Sequence, residues 1–425
     1  MTRNKAIQMS DVDSNSRTER LIFLDWVRIL AFATLVLYHV GMYYVSWDFH
    51  IKSPHAGSTI EPLMRLTNPW RMDLLFLVSG VATSFMLLRD GASGLLLRLR
   101  AKRLLIPLLF GILVIVPPQS WLEVMQKHQY TGSYINFMGL YLAGYSGFCA
   151  SAGKCLILPT WNHLWFLPYL FLYTLLLWLA LRRWPSLLEQ LSHRIGKALK
   201  GVGLLVWPTL YLALTLLLLR KNFPQNYSVW GDWFAHSQYL AIFVLGAVLA
   251  RAPKVWRQMA QWRWMALALA LTAWLMLVQA PWLAREAQLP MRSIGPWAYS
   301  MQQWCAIVAA LGFAQIHLNR DGPARRYLTE AVFPVYILHQ TLILLLAHSF
   351  APLAMNPVLE GSLLVGLTFC LSLAGFELIR RVRWSRPIFG LHLIRPAAVV
   401  NGDSESAIGV QKNTSRIRRK HSGEH

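Results

Sequence analysis

Residues 21–45 read L-I-F-L-D-W-V-R-I-L-A-F-A-T-L-V-L-Y-H-V-G-M-Y-Y-V, an apolar run long enough to cross a bilayer as a helix, and yet it carries Asp25, Arg28 and His39. A spacing of eleven residues returns His39 to within about 20° of the Arg28 face of a helix. Asp25 precedes Arg28 by three residues and shares its stripe. An ionisable side chain near the middle of a spanning helix costs at least ~2.5 kcal/mol, so an aligned row of them points to a wet or functional interior. The plainer alternative is a salt bridge near the helix end plus one satisfied histidine.

The rest of the chain repeats the apolar theme. Ten candidate spans fall at 21–45, 69–88, 104–122, 161–181, 202–219, 236–250, 264–283, 297–317, 331–350 and 358–379, the sixth being short. The stretch 133–146 is apolar but too short to span and reads as a re-entrant or interfacial piece. The 19 Trp and 15 Tyr suit interfacial belts. The expected fold is all-α: a polytopic integral membrane bundle of about ten transmembrane helices. It divides into an N-terminal segment 1–20, a transmembrane domain 21–391 and a basic tail 392–425, rich in Ser and Arg and expected to be disordered. The first twenty residues are polar and the apolar run after them is too long for a signal peptide, so no removable leader is expected.

The net charge of +22 suggests nucleic acid until its placement is considered. With the N-terminus inside, segments 1–20, 89–103, 182–200, 251–263, 318–326 and 380–425 hold 31 of the 41 Lys and Arg. The opposite side holds nine, and Arg28 lies within the membrane. This asymmetry is what ten spans with both termini cytoplasmic require, so the basic balance reports topology and the partner is a lipid bilayer, not nucleic acid. A basic cytoplasmic face also attracts a phosphorylated donor or anionic lipid.

Polar residues in or beside the spans are the candidates for chemistry. Arg71 and Asp73 open the second span near the end where His39 sits, and either can approach that imidazole if the two helices pack together. A carboxylate there would fix the tautomer, which places Asp73 with His39 and Arg28 among the catalytic candidates. Ser79 and Gly80 offer a small-residue surface for close packing. His163 and Trp165 open the fourth span in W-N-H-L-W-F-L, and His236, at the start of the sixth, reads as interfacial. His339 and Gln340 fall mid-span, where such a pair needs polar partners. Glu377 has Arg380 and Arg381 at i+3 and i+4, so a local salt bridge is its default. The loop bearing Arg98, Arg100, Lys102 and Arg103 is either a topogenic cluster or a phosphate-binding lip. Cys149 and Cys155 can close a small disulfide loop in an oxidising compartment, whereas Cys305 and Cys370 read as packing residues in apolar spans. No second Cys or His pair sits near Cys149 and Cys155 at ligand spacing, which argues against a metal there, and H-E-x-x-H, G-x-S-x-G, P-loop and G-x-G-x-x-G motifs are absent. What remains is a membrane protein with a polar interior, an enzyme or a transporter.

The ordered set Arg28-x10-His39, L-L-F-L-V-S-G at 74–80, R-L-L-I-P at 103–107, H-L-W-F-L at 163–167, V-Y-I-L-H-Q-T at 335–341, and F-E-L-I-R-R with R-P-I-F-G-L at 376–391 resembles the membrane-bound acyltransferase family 3. The later motifs look most like the branch that contains the periplasmic-glucan succinyltransferase, although Asp73 stands where that branch is expected to carry proline. The resemblance implies transfer of an acetyl or succinyl group from cytoplasmic acyl-CoA, a co-substrate with no bound cofactor or metal, to a carbohydrate hydroxyl at the outer face of a bacterial inner membrane. It implies His39 as the catalytic histidine, Arg28 as its partner and Arg103 as the basic residue after the second span. Arg71, Arg103, His163, Trp165, His339, Gln340 and Glu377 are the substrate-binding candidates. A neutral His suits deprotonation of a hydroxyl, while Arg28 lies about 16 Å from His39 along the helix and is assigned to donor positioning. The alternative is a glycan exporter, which should show inverted repeats or paired broken helices; neither is evident.

Overall fold

The Asp25–Arg28–His39 run folds as one uninterrupted helix, α1 (Ile22–Tyr44), in a computed structural model that describes residues 21–392 apart from 91–93, 150–154, 287 and 289. The segment 1–20 and the tail after residue 392 lie outside the described residues. There follow α2 (Glu61–Thr67), α3 (Arg71–Asp90), α4 (Gly94–Phe110), a π-helical turn (Gly111–Ile115), α5 (Pro117–His128) and α6 (Tyr134–Leu142). A 3₁₀ turn (Asn162–Trp165) leads into α7 (Phe166–Arg183), then α8 (Leu187–Ala198), α9 (Gly203–Leu219), α10 (Trp233–Leu249), α11 (Pro253–Val278) and α12 (Ala280–Arg285). The chain closes with α13 (Met291–His317), α14 (Pro323–Phe350), α15 (Pro357–Arg381) and the short α16 (Ser385–Ile388). Among the described residues there are no β-strands, only isolated bridges.

Each of the ten expected apolar segments is helical over most of its length, but length and apolarity mark fewer of them as spans. Six helical stretches qualify: α1, Glu61–Leu87, Asn162–Arg183, α11, Pro323–Leu353 and α15. A seventh is added if α8 and α9, bent by 107°, act as one. The expected third span is interrupted because Pro117 and Pro118 supply no N–H to the preceding turn. α10 is apolar but only 17 residues long. The 133–146 stretch forms the nine-residue α6, too short to cross.

The most extensive packing joins α11 with α13, α3 with α10, and α14 with α15. Backbone meets backbone where α3 crosses α10: a Cβ on Gly80 would collide with the Phe243 carbonyl, and one on Gly246 with the Leu77 carbonyl. Small residues permit that approach, as helices without a hydrophobic driving force between them require. Aromatic rings fill the space beside it, with Phe76 4.7 Å from both Phe166 and Tyr239. Outward positions such as Leu30, Leu37, Leu218 and Leu378 remain exposed, as a lipid-facing surface demands. Cys149 and Cys155 are joined in a disulfide. Cys305 is buried, but Cys370 is exposed, on the outer face of α15 rather than in packing between helices.

Candidate active site

The proline pair of α5 shapes the site. Across the π-turn Val116 N–H bonds back to the Gly111 carbonyl and Gln119 N–H to the Val116 carbonyl, so the ladder passes over the carbonyls of residues 112–115. Two of these recruit side chains instead: Ile112 accepts from the Tyr141 hydroxyl at 2.9 Å and Ile115 from the Thr341 hydroxyl at 2.7 Å. The second of these starts a hydrogen-bond chain whose direction is forced at every step. Thr341 has spent its one proton on Ile115, so it accepts from Gln119 Nε2 at 2.7 Å. Gln119 Oε1 then accepts from Asn162 Nδ2 and Gln340 Nε2, at 3.1 and 3.0 Å. The second Gln340 proton points at His50 Nε2, 2.9 Å away, which must carry a lone pair. His50 therefore holds its proton on Nδ1 and donates it to Glu123 Oε2 at 2.5 Å.

A second directed chain fixes His39. His339, fully buried in α14, donates from Nδ1 to the Tyr336 carbonyl at 2.7 Å, which leaves its Nε2 as an acceptor. His39 Nδ1 lies 2.9 Å from that nitrogen and donates to it. The His39 Nε2 lone pair is thereby left for a substrate. His163 is locked beside the pair, donating from Nε2 to the Ile337 carbonyl at 3.0 Å and accepting from Gln119 on Nδ1.

His39, His50 and His163 line a cavity of about 610 Å³, of a size suited to a small-molecule ligand. Gln340, Arg71, Asp73 and Trp165 line it too. Trp165 stands 4.9 Å from Tyr227 and 5.5 Å from Tyr239, ring to ring. Tyr227 and Asn162, both in the wall, adopt left-handed backbone conformations with φ of 56° and 38°. The Tyr227 conformation is held by the buried Asp232 carboxylate, which accepts the Tyr227 and Asn226 N–H groups and the Tyr169 hydroxyl. At the rim, Lys127 bonds Asp48 at 2.7 Å and Glu123 at 2.9 Å. Burial disfavours its charge, but Glu123 and Asp48 outweigh that and raise its pKa above the ordinary lysine value.

The sequence candidates divide into two groups. His39, His163, His339, Gln340, Arg71, Asp73 and Trp165 gather at or behind the cavity. Asp73, however, is not the group that orients His39. Its carboxylate accepts from Gln303 Nε2 at 2.9 Å, and His339 occupies the place expected for it, because α14 rather than α3 faces that edge of the ring. Arg28, Arg103 and Glu377 lie elsewhere. Asp25 binds Arg325 and sits 3.8 Å from Arg28, and Arg28, Arg100 and Arg103 are close enough to interact. Glu377 is held by Arg380 at 2.9 Å and Arg381 at 3.6 Å, so the local pairing applies and the structure does not bring it to the cavity. His236 bonds Tyr173 and the Val229 carbonyl. The sequence alone does not single out His50, Glu123, Gln119 and Asp232: His50 stands in a loop, Gln119 and Asp232 at helix starts and Glu123 within α5, with no spacing that betrays them. Only the proline pair before Gln119 signals a break there. Among the described residues no group of three or more His, Cys, Asp or Glu side chains is placed to hold a metal.

A cavity with an oriented, unencumbered imidazole and a wall rich in amides and aromatic rings can take a proton from a hydroxyl-bearing ligand. No curated protein and no solved structure gives a significant match to the chain. A family model described as an acyltransferase domain matches residues 21–377, from the start of α1 into α15, and so takes in every wall of the cavity. The chain belongs to this acyltransferase family, and the protein is a multi-pass membrane O-acyltransferase.

Proposed function

We propose that the protein moves an acyl group, acetyl or succinyl, from cytoplasmic acyl-CoA to a hydroxyl of a periplasmic or cell-envelope carbohydrate, with His39 as general base. The observation that carries this reading is the relay from the Tyr336 carbonyl through His339 to His39, which leaves the His39 Nε2 lone pair to the cavity. The acceptor hydroxyl gives its proton to Nε2 as its oxygen attacks the acyl carbonyl carbon. When the intermediate collapses, the carbon–sulfur bond breaks and the imidazolium returns the proton to the leaving thiolate. His339 supports the charged imidazole by accepting from its Nδ1–H, as a triad's third member does. The rings of Trp165 and Tyr227 offer apolar faces to a sugar.

The donor side belongs at the other end of α1. Arg28, Arg100 and Arg103 form a basic group there, suited to the phosphates of CoA. Arg28 and His39 are separated by about 16 Å of helix, a length the pantetheine arm must bridge. Ten spans with both termini cytoplasmic in a bacterial inner membrane fit this arrangement and the distribution of 31 of 41 basic residues. The motif likeness to the glucan succinyltransferase branch supports a glucan acceptor. Purified protein given radiolabelled acetyl-CoA or succinyl-CoA and envelope glycans should place label on the glycan. Transport of glycan across a vesicle membrane with no label incorporated would replace this reading with an exporter.

A further inference from the structure

Attack on an acyl carbonyl places negative charge on the former carbonyl oxygen, and a site that supplies the base must also supply a donor for that oxygen. Several donors near His39 are already committed. The Gln119 amide donates to Thr341 and His163, and the Gln340 amide to Gln119 and His50. Asn162 donates to Gln119, and the His163 ring N–H to Ile337. Lys127 is held between Asp48 and Glu123.

Arg71 is different. It is 8% exposed and lines the cavity. Among the described residues its one hydrogen bond is a long 3.4 Å contact from Nη1 to Asn68 Oδ1, and its Nε is buried without a partner. Among the described residues no carboxylate lies within ion-pair distance of it; Asp73, two residues on, is turned to Gln303. A guanidinium carries five N–H donors, and a buried cation without a counter-charge is costly unless something else compensates it. Its carbon lies 3.2 Å from the Tyr38 ring centre, and that ring centre is 6.1 Å from the His39 ring. The guanidinium is thus no farther from His39 than those two distances combined. Arg220 also lines the cavity but is exposed to water, where a charge stabilises a transition state far less. Arg28 is most of a bilayer leaflet away along α1.

We propose that Arg71 is a catalytic residue that donates hydrogen bonds to the oxyanion formed when the acceptor hydroxyl attacks the acyl carbon. The inference rests on the acyl-transfer reading of the cavity. In the step, the acceptor oxygen–carbon bond forms, the carbonyl π pair moves onto oxygen beside Arg71, and the hydroxyl proton passes to His39 Nε2. Return of the pair expels the CoA thiolate, which takes the proton from His39.

The test compares wild type, Arg71→Ala, Arg71→Lys and His39→Ala as purified full-length proteins. Radiolabelled acetyl-CoA and succinyl-CoA serve as donors and a β-linked glucose oligosaccharide as the acceptor probe. Removing one oxyanion donor lowers kcat by about 10²–10³-fold. Arg71→Ala should show a loss of that order with donor and acceptor KM within threefold of wild type, and millimolar guanidinium should restore part of it. Arg71→Lys keeps charge without the fork and should lose at least tenfold. A kcat within fivefold of wild type in Arg71→Ala overturns the proposal, as does a loss expressed through acceptor KM alone, which would make Arg71 a binding residue. If Arg71→Ala does not accumulate, an unchanged kcat in Arg71→Lys overturns it. Absence of transfer by wild type defeats the parent reading and this inference together. Loss in His39→Ala with none in the Arg71 variants defeats this inference alone.

Discussion

Replacing His339 by alanine isolates the relay from the base. His339 never meets substrate in this account; it accepts the His39 Nδ1–H at 2.9 Å and passes the constraint to the Tyr336 carbonyl at 2.7 Å. In the transition state His39 becomes an imidazolium, so the lost interaction is a hydrogen bond to a charged group, typically worth about 1.5–3 kcal/mol. At 1.36 kcal/mol per tenfold, kcat should fall by about 10- to 150-fold. The substitution also empties a fully buried site, so a stability loss on the order of 2–4 kcal/mol accompanies it. Label transfer and donor affinity, measured on protein shown to be folded in detergent, separate the two effects. The account predicts reduced kcat, unchanged acyl-CoA affinity and a loss smaller than that of His39→Ala. A kcat within twofold of wild type would refute the relay.

Three further outcomes follow from the packing and charge distribution. Gly80→Ala drives a methyl into the Phe243 carbonyl and should destabilise by about 1–3 kcal/mol, read as a lower Tm, and an unchanged Tm would contradict the close α3–α10 contact. Hydrogen bonds from Arg326 and Arg325 hold the Asp321 carboxyl well below the usual carboxylate range, so its stabilisation is complete above about pH 4 and is lost as the pH falls below that. Asp321→Asn should flatten the acid limb of the Tm profile, and an unaltered limb would remove this group from it. A periplasm-only reporter fused after His425 should stay silent, whereas a strong signal would sink the ten-span topology.

Much of this is legible in the sequence, and the reasons are physical. Apolar length marks helices whatever they pack against, so α1, α7, α14 and α15 were visible as runs. His39 and the His339–Gln340 pair stood out because polar groups are expensive in apolar surroundings. What periodicity does not carry is which helix faces which. His39 and His339 are 300 residues apart, so the sequence hides their bond and offers the nearer Asp73 for a place that belongs to His339. The His50–Glu123 dyad is invisible in the sequence because a histidine in a loop and a glutamate within a short helix are unremarkable singly. The charge of Arg71 is visible in the sequence, but its lack of a carboxylate partner among the described residues is a tertiary fact. Glu377 shows the reverse case, where the i+3 and i+4 arginines foretold its pairing.

The central claim is that His39 takes the proton from the acceptor hydroxyl. The most direct measurement is acyl transfer by purified His39→Ala, with acyl-CoA binding measured on the same sample. General-base catalysis contributes about 10²–10⁴-fold, so transfer should fall by at least that order while the protein accumulates and binds acyl-CoA as wild type does. Near-normal transfer by His39→Ala would contradict the account, because no other imidazole in the cavity has an uncommitted nitrogen to replace it.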